Sequence, residues 1–284
     1  MRKEINNLKP VRLRKFSKFP KSFLLLLSYL FFYQNCQQPT EGCLDVRATN
    51  FDVTASKGCE TQCVCTYPYL ITSTDYFSGV NSFSVNTTYK NDQGDSFRII
   101  SAQMYLSDFQ LINDKNETYR TIDSVALTRE TDTIKVLNNY ALVGKSNGFD
   151  FTIGSFNGTG NFTKVKFRVG LDDVAAKTIA SKMPSTHPLS IKTDSMYISS
   201  SKQYIFNKFV IAKGLNFKDT LRLNITTPKD LTLTTKLTFK EGFDAKIPLK
   251  INYLTFFSGV NFSQSENIIL QKIVDNTSSA ISIQ

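Results

Sequence analysis

Residues Leu231–Phe239 read LTLTTKLTF: Leu231, Leu233, Thr235, Leu237 and Phe239 alternate with Thr232, Thr234, Lys236 and Thr238. A period of two sends successive side chains to opposite faces, which is the pattern of a strand with one buried and one wet face. The same alternation runs through KVKFRV (Lys164–Val169), Phe97–Met104, Gln203–Ala212, Leu221–Ile225 and Ile247–Phe256. Gly, Asn, Asp and Ser punctuate these runs at short intervals, as antiparallel hairpins require. One short helix is expected, DVAAKTIASKM, capped by Asp172 or Asp173 and stopped by Pro184. Residues 70–284, with most of the 23 Phe and 12 Tyr of the chain, therefore form one large antiparallel β-sandwich with a substantial core. FSGVN occurs twice, at Phe77–Asn81 and Phe257–Asn261, and reads as reuse of a Gly-centred turn.

The other end of the chain reads differently. Residues 1–21 carry eight Lys and Arg against one acid, Glu4, and an uncharged 12-residue run follows, Ser22–Tyr33, SFLLLLSYLFFY. A membrane-spanning helix needs about 20 apolar residues, so this is the core of an export signal covering residues 1–35. Tyr33, Gln34 and Asn35 do not suit the ordinary signal peptidase. The segment resembles a bacterial lipoprotein signal, with Cys36 as the lipidated first residue, although Asn35 stands where Gly or Ala is usual. Removing residues 1–35 takes 8 of 34 basic and 1 of 24 acidic residues and leaves 26 against 23, a net +3. The basic character is thus mostly in the signal, and no phosphate-binding stripe remains, so nucleic acid is not an expected partner.

All five cysteines lie between Cys36 and Cys65. With Cys36 lipidated, four remain in an exported chain, which implies disulfides. Cys63 and Cys65 are too close to pair comfortably. The choices are Cys43–Cys65 with Cys59–Cys63, or Cys43–Cys63 with Cys59–Cys65, and the nested first arrangement is expected. A thiolate copper(I) site at Cys59, Cys63 and Cys65 is the competing reading. GCLDVRATNFDVTAS (Gly42–Ser56) and CTYP (Cys65–Pro68) resemble small GC-D-x-x-A-x-N-Y-D … C-x-Y modules of bacterial surface proteins. The resemblance implies a compact disulfide-bonded cap within residues 36–69. Asp45, Asn50 and Asp52 offer oxygen ligands for calcium, but side chains capping their own turns are the expected reading.

Chemistry is sparse. The one histidine, His187, lies in STHPLS without a nucleophile elbow, phosphate-cradling loops are missing, and Asp172-Asp173 read as a helix cap. The expectation is a protein that is not an enzyme.

The order FRIISAQMYLSDFQL (Phe97–Leu111), KVKFRVGLDD (Lys164–Asp173), HPLS (His187–Ser190) and DSMYISSSKQYIFNKF (Asp194–Phe209) resembles the MbnP-like domain of exported bacterial proteins. The resemblance spans most of residues 70–265. It implies a β-sandwich that binds copper outside the cytoplasm, with an oxidised tryptophan in founding members and a partner haem peroxidase. Carried over residue by residue, most of that is missing. Ile198 and Ser200 stand where the family has two Trp after Met-Tyr, the chain has no Trp, and LRLNITT (Leu221–Thr227) lacks the downstream histidine. His187 and Met196 remain as soft-metal candidates. The expectation is a lipid-anchored protein of the bacterial cell envelope, held to the membrane through Cys36, which binds a partner there and retains at most a weakened copper site. The alternative is a surface adhesin using an exposed loop at Ser146–Asn161.

Overall fold

The computed structural model describes residues 39–60, 63–191 and 196–284. The export signal, Cys36 and Asp194 lie outside the described residues. Glu41–Gln284 is one compact unit.

The main elements are β1 (Tyr69–Ser78), β2 (Ser96–Asn113), β3 (Ser124–Thr128), β4 (Thr133–Leu137), β5 (Tyr140–Val143), β6 (Asp150–Ser155), β7 (Gly160–Val169), β8 (Asn207–Lys213), β9 (Asp219–Ile225), β10 (Lys229–Phe239), β11 (Ala245–Asn252), α1 (Glu266–Ala280) and β12 (Ile281–Ile283). The larger sheet runs β9-β8-β2-β7-β10, and β5 adds to β2. The smaller sheet runs β6-β1-β11-β12, and β3 with β4 forms a separate hairpin. The opening stretch behaves as its pattern dictates: in β10, Leu231, Thr235 and Phe239 are buried, Leu233 and Leu237 pack against the core, and the intervening residues face water.

Inward residues of both sheets share one core, in which Phe97, Phe209, Phe256 and Phe257 pack at ring separations of 4.9–5.2 Å. Tilted contacts at this spacing favour the ring quadrupoles beyond simple burial. One ladder of the two sandwich sheets departs from the antiparallel rule: β11 lies parallel to β1, Ala245 opposite Leu70 through Asn252 opposite Phe77. A parallel pair needs a long crossover, and here the intervening chain supplies the whole larger sheet.

Three expectations change. DVAAKTIASKM is not a helix but two 3-10 turns, Ala175–Lys177 and Ala180–Lys182. Asp172 does cap, accepting the Val174 and Ala175 N–H groups. However, Thr178 and Ile179 are extended, and the Ile179 N–H goes to Thr128 O on β3 at 2.8 Å. The neighbouring hairpin takes a donor the helix would need. The long helix is instead α1, which buries Ile269, Ile273, Val274, Thr277 and Ala280 on one face. Ser146–Asn161 is no free loop either. Its centre is β6, paired with β1 from Asp150↔Ser73 to Ser155↔Tyr69. The two FSGVN copies follow different elements, a strand and a helical turn, yet Gly79 and Gly259 both adopt φ 64°.

In the cap, Cys43 is bonded to Cys65 and Cys59 to Cys63. The four thiols are consumed, so they form no copper(I) thiolate site. Asp45 accepts from Arg47 and Tyr67, Asn50 holds Thr66 N–H and Val64 O, and Asp52 caps Thr54. These are turn-capping roles. No described helix is long and apolar enough to cross a membrane.

Candidate functional site

His187 is fixed by a bulge, a glycine and a pair of tyrosines. Between Ser107 and Gln110 the β2–β7 register slips, so that two residues of β2 face one of β7, and Asp108 there adopts φ 52°. A non-glycine residue in that region is costly unless its side chain is held. Asp108 accepts hydrogen bonds from Arg120 at 3.2 Å and Gln110 at 3.0 Å. The bulge also frees the Phe109 N–H for Asn139 Oδ1 at 2.8 Å. Beside it, Ser107 Oγ donates to Gly170 O at 2.7 Å and Gly170 N–H donates to Tyr105 O at 2.8 Å. Gly170 has φ 118°, and a Cβ there would stand 3.0 Å from Phe206 and 3.1 Å from Pro228. Thus the Tyr-Leu-Ser-Asp and Val-Gly-Leu-Asp stretches interlock by backbone geometry.

Over this frame lies a second apolar cluster that includes Tyr105, Tyr140, Tyr204, Met183 and Met196. Tyr204 OH donates to Leu189 O at 2.6 Å and Tyr105 OH to Pro188 O at 3.3 Å, so two buried phenols clamp the His-Pro-Leu segment by its carbonyls. Burial pushes the Tyr105, Tyr140 and Tyr204 phenols above their ordinary value, with Asp172 adding to the effect at Tyr140 and Tyr105 at Tyr204. His187 is buried, with its ring edge-on to Tyr140 at 5.9 Å. Its Nδ1 accepts the Leu189 N–H at 3.2 Å, which makes Nε2 the protonated nitrogen of the neutral ring. Nε2 donates to Asn138 Oδ1 at 3.2 Å, and Asn138 Nδ2 donates in turn to Asp123 Oδ2 at 2.9 Å. The other Asp123 oxygen accepts the Ser155 N–H at 2.7 Å. This relay ties the segment to the turn between β4 and β5 and to the end of β6. On its outer side, Thr186 and Pro188 line an open cavity of about 650 Å³ with Gln103, Asn147, Asp150 and Thr152.

A family model described as MbnP matches residues 71–272 of this fold. The chain belongs to the MbnP family. Among solved structures it is similar to MbnP from Methylosinus trichosporium, with 10% sequence identity, a TM-score of 0.43, and coverage of 68% of this chain and 78% of that one. No curated protein matches it.

MbnP is a copper-related family, and the residues here do not fit that ion. Both His187 ring nitrogens are engaged in internal hydrogen bonds. Among the described residues no three His, Cys, Asp or Glu side chains converge as metal ligands. Met196 is buried in the same apolar cluster as Tyr105, Tyr140 and Tyr204. Ile198, at a family Trp position, sits in a two-residue ladder with Gln203. Sequence reasoning singled out His187 and Met196 but missed Asn138, Asp123 and the two clamping tyrosines. Asn138-Asn139 reads only as a turn between two apolar runs, and its hydrogen-bond partner is 49 residues away.

Proposed function

We propose that this MbnP-family chain is an exported protein, anchored to the bacterial envelope through a lipidated Cys36, that binds a partner without catalysing a reaction. Its copper site is reduced to a structural histidine. The observation that supports this most directly is the His187 ring, whose nitrogens serve Leu189 and Asn138. A metal would have to displace one of two internal hydrogen bonds, each 3.2 Å, and would find no second imidazole, since the chain has one His. The basic, then apolar, then Gln-Asn-Cys order of residues 1–36 supports export and anchoring.

Calorimetric titration of the soluble body with copper(I) and copper(II) tests the metal part. Heat at background level is expected. Stoichiometric binding at micromolar affinity or tighter, abolished by His187→Ala, would overturn it. Protease shaving of intact cells tests the placement: release of the protein places it on the outer face, and retention places it on the periplasmic one.

A further inference from the structure

The cap carries large apolar side chains on its outside. Leu44, Val46, Phe51, Val53 and Val64 are all exposed, Val53 to 82% and Val64 to 76%. They fall within 21 residues of one another, bound together by the Cys43–Cys65 bond and by Asn50, which holds Thr66 N–H and Val64 O. Phe243, exposed to 68%, follows Gly242, which lies close to Ala48 O of the cap. Isolated exposed apolar residues are ordinary, but this many on so small a module mark a contact surface.

The cap carries four acids, Glu41, Asp45, Asp52 and Glu60, and two bases, Arg47 and Lys57, and both bases are paired. Arg47 pairs with Asp45 at 2.7 Å, and Lys57 pairs with Glu60 at 2.7 Å and Glu41 at 3.7 Å. Asp52 is bound by the Thr54 N–H and Oγ1. The cap keeps a net charge of −2, so contact with a bilayer rests on the apolar side chains and the anchor rather than on charge attraction.

We propose that the apolar face of the cap docks on the lipid bilayer in which Cys36 is anchored. This rests on the acylation of Cys36. Only residues 37–40 separate Cys36 from Glu41, where the cap begins its pairing with Lys57. Five extended steps of ~3.5 Å reach at most about 17 Å, so an anchored Cys36 holds the cap at the membrane interface. At that distance the exposed Val and Leu side chains meet headgroups and acyl chains rather than bulk water. β1 starts at Tyr69, next to the cap, and its 10 residues carry the chain about 33 Å to the far end of the sandwich at ~3.3 Å per residue. Val80, exposed to 93%, sits just past that far end.

The chain lacks tryptophan, so a single introduced Trp reports its own surroundings. The full-length protein is purified from membranes and reconstituted in phosphatidylethanolamine–phosphatidylglycerol vesicles as the Val64→Trp or the Val80→Trp variant. Brominated lipids should quench V64W at least about twofold more strongly than V80W, with V64W emission moved to shorter wavelength. Adding Val53→Asp should reduce that difference. Equal quenching of the two variants on an acylated protein overturns docking. The mass of the N-terminal peptide reports the anchor separately. If Cys36 is unmodified, the anchoring reading fails, and docking then stands or falls on whether vesicles alone shift V64W emission. A concentration-dependent shift without lipid, together with a dimer on sedimentation, would assign the patch to a second copy and overturn the membrane proposal.

Discussion

Five buried tyrosines make this fold sensitive to alkali in a way that can be worked out in advance. Tyr105, Tyr140 and Tyr204 lie in the cluster over His187, and Tyr76 and Tyr253 lie in the main core. Burial raises all five phenols from their ordinary value of 10, Tyr76 to about 12. Below pH 10 the phenols are neutral in both folded and unfolded chains, and their contribution is complete. Between about pH 10 and 12 only the unfolded chain ionises them, so stability falls as pH rises. At pH 11 each phenol favours unfolding by on the order of 1 kcal/mol and the five together by several kcal/mol. That is comparable with the whole stability of a typical domain, about 5–15 kcal/mol. Unfolding should therefore be cooperative near pH 11, with tyrosinate absorbance and loss of circular dichroism rising together.

Tyr204→Phe separates the two roles of one phenol. It removes the donor to Leu189 O and should cost about 1 kcal/mol in a urea titration at pH 8. By pH 11 the deficit should vanish or reverse, because the variant has one fewer phenol to ionise on unfolding. If all ten tyrosines of residues 41–284 titrate by about pH 10.5 with the circular dichroism unchanged, the burial argument is refuted.

Gly170→Ala should destabilise by about 2–4 kcal/mol in thermal or urea unfolding, since it demands φ 118° of an alanine and presses its Cβ on Phe206 and Pro228; wild-type stability would show that the two motifs do not interlock through this residue. In the cap, the Arg47 guanidinium, with the Arg47 and Tyr67 hydrogen bonds, holds Asp45 well below its ordinary value of 3.8. That stability is present above pH 4 and is lost as pH falls below it, because the unfolded carboxylate binds its proton first. Asp45→Asn should flatten the acid limb of cap unfolding, followed by limited proteolysis around residue 60, and an unchanged limb would remove Asp45 as the cause.

The strands were legible because a half-buried strand repeats every two residues, and β7, β9 and β10 lie within a few residues of their alternating stretches. Helix α1 was missed. Ile269, Ile273, Val274 and Thr277 follow a 4-1-3 spacing behind Ser265 and Glu266, but Ile, Val and Thr also suit strands, and residue type obscured the period. The segment after Asp172 misled in the other direction. Its cap formed, and a long-range bond from Ile179 to Thr128 then decided the backbone. Nothing local announces such a bond. The same holds for the parallel pairing of β1 with β11, whose partners are 175 residues apart, and for the Asp108 bulge, where strain is accepted in order to pass Phe109 to Asn139.

The histidine shows how far a site can be read from its residue types alone. As a letter in a sequence with one His and four Met, His187 invites a metal. In the fold, its position is set by partners that act on the backbone around it: Tyr204 and Tyr105 on the Leu189 and Pro188 carbonyls, and Ser190 Oγ on the His187 carbonyl at 2.8 Å. That apparatus orients an imidazole with high precision, which is what a ligand histidine needs from its surroundings. Here the oriented ring meets an amide oxygen in place of an ion, and Asn138 passes the link to Asp123. This donor–acceptor chain ends on the Asp123 carboxylate and engages both ring nitrogens, so the buried imidazole is satisfied without a metal. The backbone around His187 is thus tightly positioned, while among the described residues no three His, Cys, Asp or Glu side chains converge as metal ligands. A metal at Nε2 would require freeing that nitrogen from Asn138 and supplying new donors around it, a change of several residues rather than one.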